Sequence, residues 1–366
     1  MEQLKAFLKR KNIVISAKRY GIDALGAMAQ GLFCSLLIGT IINTLGEQLG
    51  VPFLVDVGSY ASAMSGAAMA VAIGYALQAP PLVLFSLVTV GYAANALGST
   101  SLIPDQAGAG GPLAVLFIAV IAAEFGKAVS KETKIDILVT PLVTILVGVG
   151  LSAWWAPAIG TAATAVGNII MWATDLQPFL MGIVVSVVIG VALTLPISSA
   201  AICAAFRLTG LAGGAAVAGC CANMVGFAVL SFRENRWGGL VSQGLGTSML
   251  QMPNIVRNPR IWLPAILTSA ITGPLATCVL HLEMNGPPVS SGMGTCGLVG
   301  QIGVWTGWLA PSERALANGA VAITPGVMDW AGLILISFVL PAVLCWAFGL
   351  FFRRIGWIKA GDLTLE

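Results

Sequence analysis

Apolar stretches about twenty residues long follow one another along this sequence with almost no charge within them, and lipid accepts such segments only as fully hydrogen-bonded helices. Asp, Glu, Lys and Arg make up 9% of the 366 residues, against roughly 25% in soluble domains. The mean hydropathy of +0.92 agrees. The 44 glycines and 18 prolines fit the same architecture, because small residues let helices approach and breakers mark discontinuities. The fold class expected is an all-α polytopic membrane protein with about ten transmembrane helices, two re-entrant hairpins and a weak parallel internal repeat. Little chain remains for a fused catalytic domain.

Basic residues orient this bundle. Lys5, Lys9, Arg10, Lys11, Lys18 and Arg19 lie among Leu4, Phe7, Leu8, Ile13 and Ile15, so residues 1–20 read as an amphipathic cytoplasmic terminus. The apolar run that follows is too long for a signal core and lacks a small-x-small cleavage site, which makes it a retained span. Spans are expected at about 21–45, 61–78, 81–97, 112–127, 135–153, 179–200, 211–230, 238–255, 261–281 and 329–352. The loops from Gly46 to Tyr60 and from Ser99 to Gly111 carry Glu47, Asp56 and Asp105 but no Lys or Arg, and are expected outside. The Lys127, Lys131 and Lys134 loop is expected inside, as is a tail of residues 353–366 with Arg353, Arg354 and Lys359. Only the Arg233/Arg236 loop departs from the positive-inside pattern. Residues 21–352 form a single transmembrane domain, with repeat-like halves at about 81–200 and 211–352 of the parallel type found in transporter folds.

Two stretches interrupt the apolar pattern. Between Trp154 and Pro178, the residues Pro157, Gly160, Thr164, Gly167, Asn168 and Asp175 predict a re-entrant or surface hairpin. From His281 to Gln301 the sequence HLEMNGPPVSSGMGTCGLVGQ packs polar groups and helix breakers between two spans. Backbone that leaves the helix at membrane depth is tolerated only where protein buries it or water reaches it, and broken helices of this kind build transporter sites. Glu283 would cost roughly 3 kcal/mol near the bilayer centre, which favours a cavity or a partner over lipid; an outer-interface position is the plain alternative. His281, Asn285, Ser290, Ser291, Thr295 and Gln301 add donors and acceptors suited to a polyhydroxylated solute. Thr164 and Asn168 are expected to supply the facing wall from the first hairpin. Asp329 sits at a helix start, where a carboxylate favours the dipole.

No Walker loop, HExxH motif or nucleophile elbow occurs, and His281 is the lone histidine, so no catalytic group is assigned. The seven cysteines lie in apolar surroundings without ligand spacing and read as packing residues; no metal or cofactor is expected. Basic residues follow topology and form no groove, which excludes nucleic acid.

The segment from Ser16 to Phe33, SAKRYGIDALGAMAQGLF, and that from Met284 to Gly300, MNGPPVSSGMGTCGLVG, resemble the membrane (IIC) component of the bacterial sugar phosphotransferase system, in the IIC-like branch that includes perfringolysin-regulator-like proteins. The resemblance implies a homodimer in the bacterial inner membrane, with a glutamate and a histidine near a hairpin contacting sugar; Glu283 and His281 take those places. It implies a permease moving a small polar solute, a sugar, by alternating access. At most the chain is the membrane subunit of a phosphotransferase whose IIA and IIB parts, including a soluble IIB-type phosphocarrier, are separate proteins. The regulator-like relatives imply a second reading, a membrane-embedded solute sensor without transport.

Overall fold

The computed structural model describes residues 2–96 and 110–365. Most of the expected Ser99–Gly111 loop, Asp105 included, lies outside them. Every named element among the described residues is helical. Six helices are long and apolar enough to cross a membrane: Arg19–Leu49, Gly111–Val129, Asp136–Ala156, Gly210–Leu230, Pro259–Val279 and Val327–Arg354. Pro52–Ala63 and Ser65–Ala76 make a seventh if their pair, bent by 47°, is one span, and Pro81–Ala96 and Pro178–Thr194 are shorter apolar helices.

The helix starting at Asp136 shows most plainly which solvent these surfaces expect. Leu138, Leu142 and Leu146, four residues apart and therefore on one face, are exposed, while Thr140, Thr144 and Ser152 are fully buried. Their hydroxyls donate within the helix, Thr144 to the Thr140 carbonyl at 2.8 Å and Ser152 to the Gly148 carbonyl at 2.8 Å. Apolar side chains outward and satisfied hydroxyls inward is the order lipid selects.

The chain divides into two compact units, Met1–Ala163 and Thr164–Glu366. In the first, Arg19–Leu49 folds back on Pro52–Ala63 through a two-residue turn. Gly50 takes the left-handed φ of +66° that closes a helix cheaply, and Pro52 opens the next one. The external loop expected from Gly46 to Tyr60 is thus mostly helix, because Pro52 at a first-turn position starts a helix as readily as it ends one. Ser65–Ala76 and Pro81–Ala96 meet at Gly66 and Gly91, where a Cβ on either would strike the carbonyl of the other.

In the second unit, Gly210–Leu230 is the central helix, 94% buried over its apolar window. It packs against Pro178–Thr194, the Leu263–Pro274 segment and Leu340–Arg354. Glycine, alanine and cysteine along GLAGGAAVAGCCANMVG permit that approach.

Two further expectations are corrected. The hairpin between Trp154 and Pro178 does not form: Asp136–Thr174 is one helix of 39 residues, and the chain turns only at Asp175–Gln177 before Pro178. Seven alanines from Ala153 to Ala173 hold it helical, and Pro157, Gly160 and Gly167 are breakers that apolar helices accommodate. The span expected at 238–255 is instead a broken path: Phe232–Val241 kinks at Arg236, a π turn covers Ser242–Gly246, a 3-10 turn covers Ser248–Gln251, and a short helix runs over Met252–Arg257. Its apolar composition reflects burial within the unit.

Candidate functional site

The His281–Gln301 stretch leaves the helical path because it cannot stay on it. Pro259–Val279 ends in a π turn, His281 adopts a left-handed φ of +44°, and Pro287 and Pro288 bring no N–H. Between them the backbone runs extended beside the start of the central helix. Met284 donates to the Gly210 carbonyl and Gly210 to the Met284 carbonyl, each at 3.0 Å. Gly214 lies under this segment, where a Cβ would collide with the Leu282 carbonyl oxygen. The chain then makes 3-10 turns at Pro288–Gly292 and Cys296–Leu298 before Val299–Leu309 restores a helix. Leu282 and Met284 anchor it in a core with Val217, Val304, Trp308 and Ile336.

Several of the polar residues expected to bind solute are engaged by the protein. Ser291 donates to the Leu208 carbonyl at 2.7 Å. Thr295, fully buried, donates to the Gly244 carbonyl and lies 3.6 Å from Met224 Sδ. Gln301 donates to Ser337 Oγ at 2.9 Å and lies 3.3 Å from Cys221 Sγ, while its buried Oε1 has no partner among the described residues. Ser290 is buried, packed against Gly303. These side chains tie the irregular backbone to its neighbours.

Glu283 and Asn285 differ. Glu283 is exposed, and its Oε2 accepts a hydrogen bond from Asn285 Nδ2 at 2.8 Å. Asn285 is 5% exposed, and its Oδ1 has no partner among the described residues. The Asn285 carbonyl accepts from the Ser312 N–H at 2.8 Å, and Ser312 Oγ is likewise buried and unpartnered, as is Thr209 Oγ1 beside the Gly210–Met284 pairing. Each such atom costs about 1–3 kcal/mol unless something polar reaches it. A carboxylate, an amide and two hydroxyls gathered around one extended strand can bind a solute with several hydroxyls. His281 is exposed and makes no hydrogen bond to Glu283. Thr164 and Asn168 lie on the continuous helix; the Thr164 side chain is outside the described ones, and Asn168 is exposed with no hydrogen bond to the Glu283 stretch.

Sequence reasoning passed over Thr209 and Ser312, which are single polar residues at segment ends with no pattern to mark them. It also passed over a buried polar cluster. Asn223 accepts from Trp262 Nε1 at 3.0 Å and from Thr194 Oγ1 at 3.2 Å, donates to Ser269 Oγ at 3.2 Å, and Thr194 meets Ser248 Oγ at 2.7 Å. The signal was an amide in the middle of an apolar span, Asn223 within CCANMVG.

Apolar helices with lipid-suited outer faces, interrupted by an extended segment at Leu282–Asn285, are those of an integral membrane protein. The family model of the phosphotransferase system EIIC component matches residues 22–365, and the chain belongs to that family. This membership gives it a general role as a sugar-specific membrane permease component, working with partners of the phosphotransferase system such as IIB proteins. No curated protein and no solved structure matches it.

Proposed function

We propose that the chain moves a small polyhydroxylated solute, a sugar, by alternating access around the Leu282–Asn285 strand, as a homodimer in the bacterial inner membrane with both termini cytoplasmic. Glu283 and Asn285 bind the solute, Thr209 and Ser312 complete its shell, and His281 stands at the rim. The observation that carries the reading is the pairing of the exposed Glu283 carboxylate with an Asn285 whose buried Oδ1 lacks a partner among the described residues. Donors and acceptors held on backbone that itself needs burial are preorganised for hydroxyl recognition. Family membership supports the sugar class and the permease role.

The test is uptake of a panel of labelled hexoses and hexitols into proteoliposomes, with and without soluble phosphotransferase proteins. At least one sugar is expected to enter, and Glu283→Gln is expected to weaken its half-saturation at least tenfold, about 1.4 kcal/mol. Saturable binding of a sugar with no flux under either condition would defeat the permease assignment; unchanged half-saturation in the variant would move the site.

A further inference from the structure

Four cations line one cavity in the Met1–Ala163 unit. It measures about 400 Å³ and is bounded by Arg10, Lys11, Lys127 and Lys131, with Glu132 the one acid in its lining. It is assembled from three helix ends. Asn12, Gln78 and Lys131 follow the helices Glu2–Arg10, Ser65–Ala76 and Gly111–Val129, and all three adopt left-handed backbone, with φ of +54°, +55° and +59°. Such ends turn orphan carbonyls toward one place, where cations meet them. Lys127 Nζ donates to the Asn12 carbonyl at 2.7 Å and the Leu77 carbonyl at 3.1 Å, and pairs with Glu124 at 2.9 Å. Arg19 donates to the Leu77 carbonyl at 2.6 Å, and Lys11 to the Ser130 carbonyl. Lys127, buried, is therefore structural.

The other cations are differently placed. Arg10 and Lys11 both hold Glu132, the former at 2.7 Å; the Lys131 N–H donates to Asp136 Oδ1 at 2.6 Å, and its amine, which makes no ion pair among the described residues, feels the charge of that carboxylate. A carboxylate gripped by a guanidinium and an ammonium at the mouth of a cationic cavity occupies the position an external anion would take. Exposed apolar side chains lie close in sequence to two of these cations. Val14 and Ile15 lie three and four residues beyond Lys11, and Ile135 four beyond Lys131; all are exposed, Ile15 at 79%. A free phosphate has no use for such a border, whereas acyl chains do.

We propose that this cavity binds the phosphate group of an anionic phospholipid between Arg10, Lys11 and Lys131, its chains lying over Ile15 and Ile135, with Glu132 as a built-in competitor. The site fixes the amphipathic Glu2–Arg10 helix to the membrane surface and is independent of the solute site.

The experiment is native mass spectrometry of the full chain with phosphatidylglycerol, phosphatidylcholine or inorganic phosphate as probe, alongside a melting curve for each variant. Phosphatidylglycerol is expected to be retained over phosphatidylcholine, and Arg10→Gln with Lys131→Gln is expected to lower its occupancy roughly tenfold. Glu132→Gln is expected to raise occupancy, a direction that misfolding does not produce. Equal retention of the two lipids, or occupancy unchanged or lower in Glu132→Gln, overturns the proposal. Displacement of phosphatidylglycerol by inorganic phosphate at matching concentration overturns the lipid source and assigns the site to the soluble anion.

Discussion

Asn285 shows how one side chain can be tied down and available at once. Its Nδ2 faces the Glu283 carboxylate at 2.8 Å, an orientation fixed by charge, since the reversed amide would set oxygen against oxygen. Oδ1 is therefore the atom left for a solute. The sequence marked Ser291, Thr295 and Asn285 alike as polar residues in an apolar setting, and could not tell which were engaged. Their partners, the Leu208 and Gly244 carbonyls, lie 83 and 51 residues away in the chain. Gly214 makes a second residue-scale statement. A methyl there overlaps the Leu282 carbonyl, so Gly214→Ala is expected to cost about 1–3 kcal/mol and to lower the melting temperature along with solute binding. Glu132 makes a third. The hydrogen bond from Lys11, and then the charge of Arg10, hold its carboxyl below the ordinary value of 4.5. A group depressed on folding stabilises above its unfolded value and stops doing so as pH falls through the folded one. In detergent free of anionic lipid, docking of the N-terminal helix against Glu132 is thus expected to be constant above about pH 4.5 and to weaken below it, and Glu132→Gln to remove that pH dependence, as read by proteolysis at Lys5 and Lys9.

At the scale of elements, apolar runs located five of the six long apolar helices to within a few residues, because length and hydropathy are what a bilayer selects. They failed where composition and backbone path part company. Residues 238–255 are apolar enough to resemble a span, yet they carry Gln243, Gln251 and Asn254, all buried and linked in series: Gln251 donates to Gln243 at 2.9 Å and Asn254 to Gln251 at 2.8 Å. That series continues into the last residues of the chain. Gln251 Nε2 and Asn235 Nδ2 donate to the Leu363 carbonyl at 3.0 and 2.7 Å, and Asn254 Nδ2 to the Thr364 carbonyl at 2.8 Å. Backbone carbonyls are read by side-chain amides, so no residue pattern in the tail announces the contact. Gln251→Leu breaks the series at its centre and leaves Asn254 and Leu363 short of partners. Cleavage at Lys359 is expected to quicken several-fold in that variant, and equal cleavage rates would contradict the tethering role. The reverse error lies at Trp154–Pro178, where scattered glycines and a proline suggested a break that the alanines override.

For the molecule as a whole, sequence and structure converge on the class, and the family match supplies the family. Sparse charge dictated a membrane bundle, the outward leucines and inward threonines of the Asp136 helix display it, and the family match over residues 22–365 places it among EIIC components. What the sequence could not supply is the local order of the Thr164–Glu366 unit, in which the central Gly210–Leu230 helix is buried on nearly all sides and one extended strand runs beside its start. The claim that this strand is the solute site is most directly tested by equilibrium binding of the sugar that supports uptake, comparing Asn285→Ala with Asn168→Ala. The account predicts that Asn285→Ala weakens the dissociation constant at least tenfold, about 1.4 kcal/mol, and that Asn168→Ala leaves it unchanged. Undiminished binding in Asn285→Ala, or a greater loss in Asn168→Ala, would contradict it.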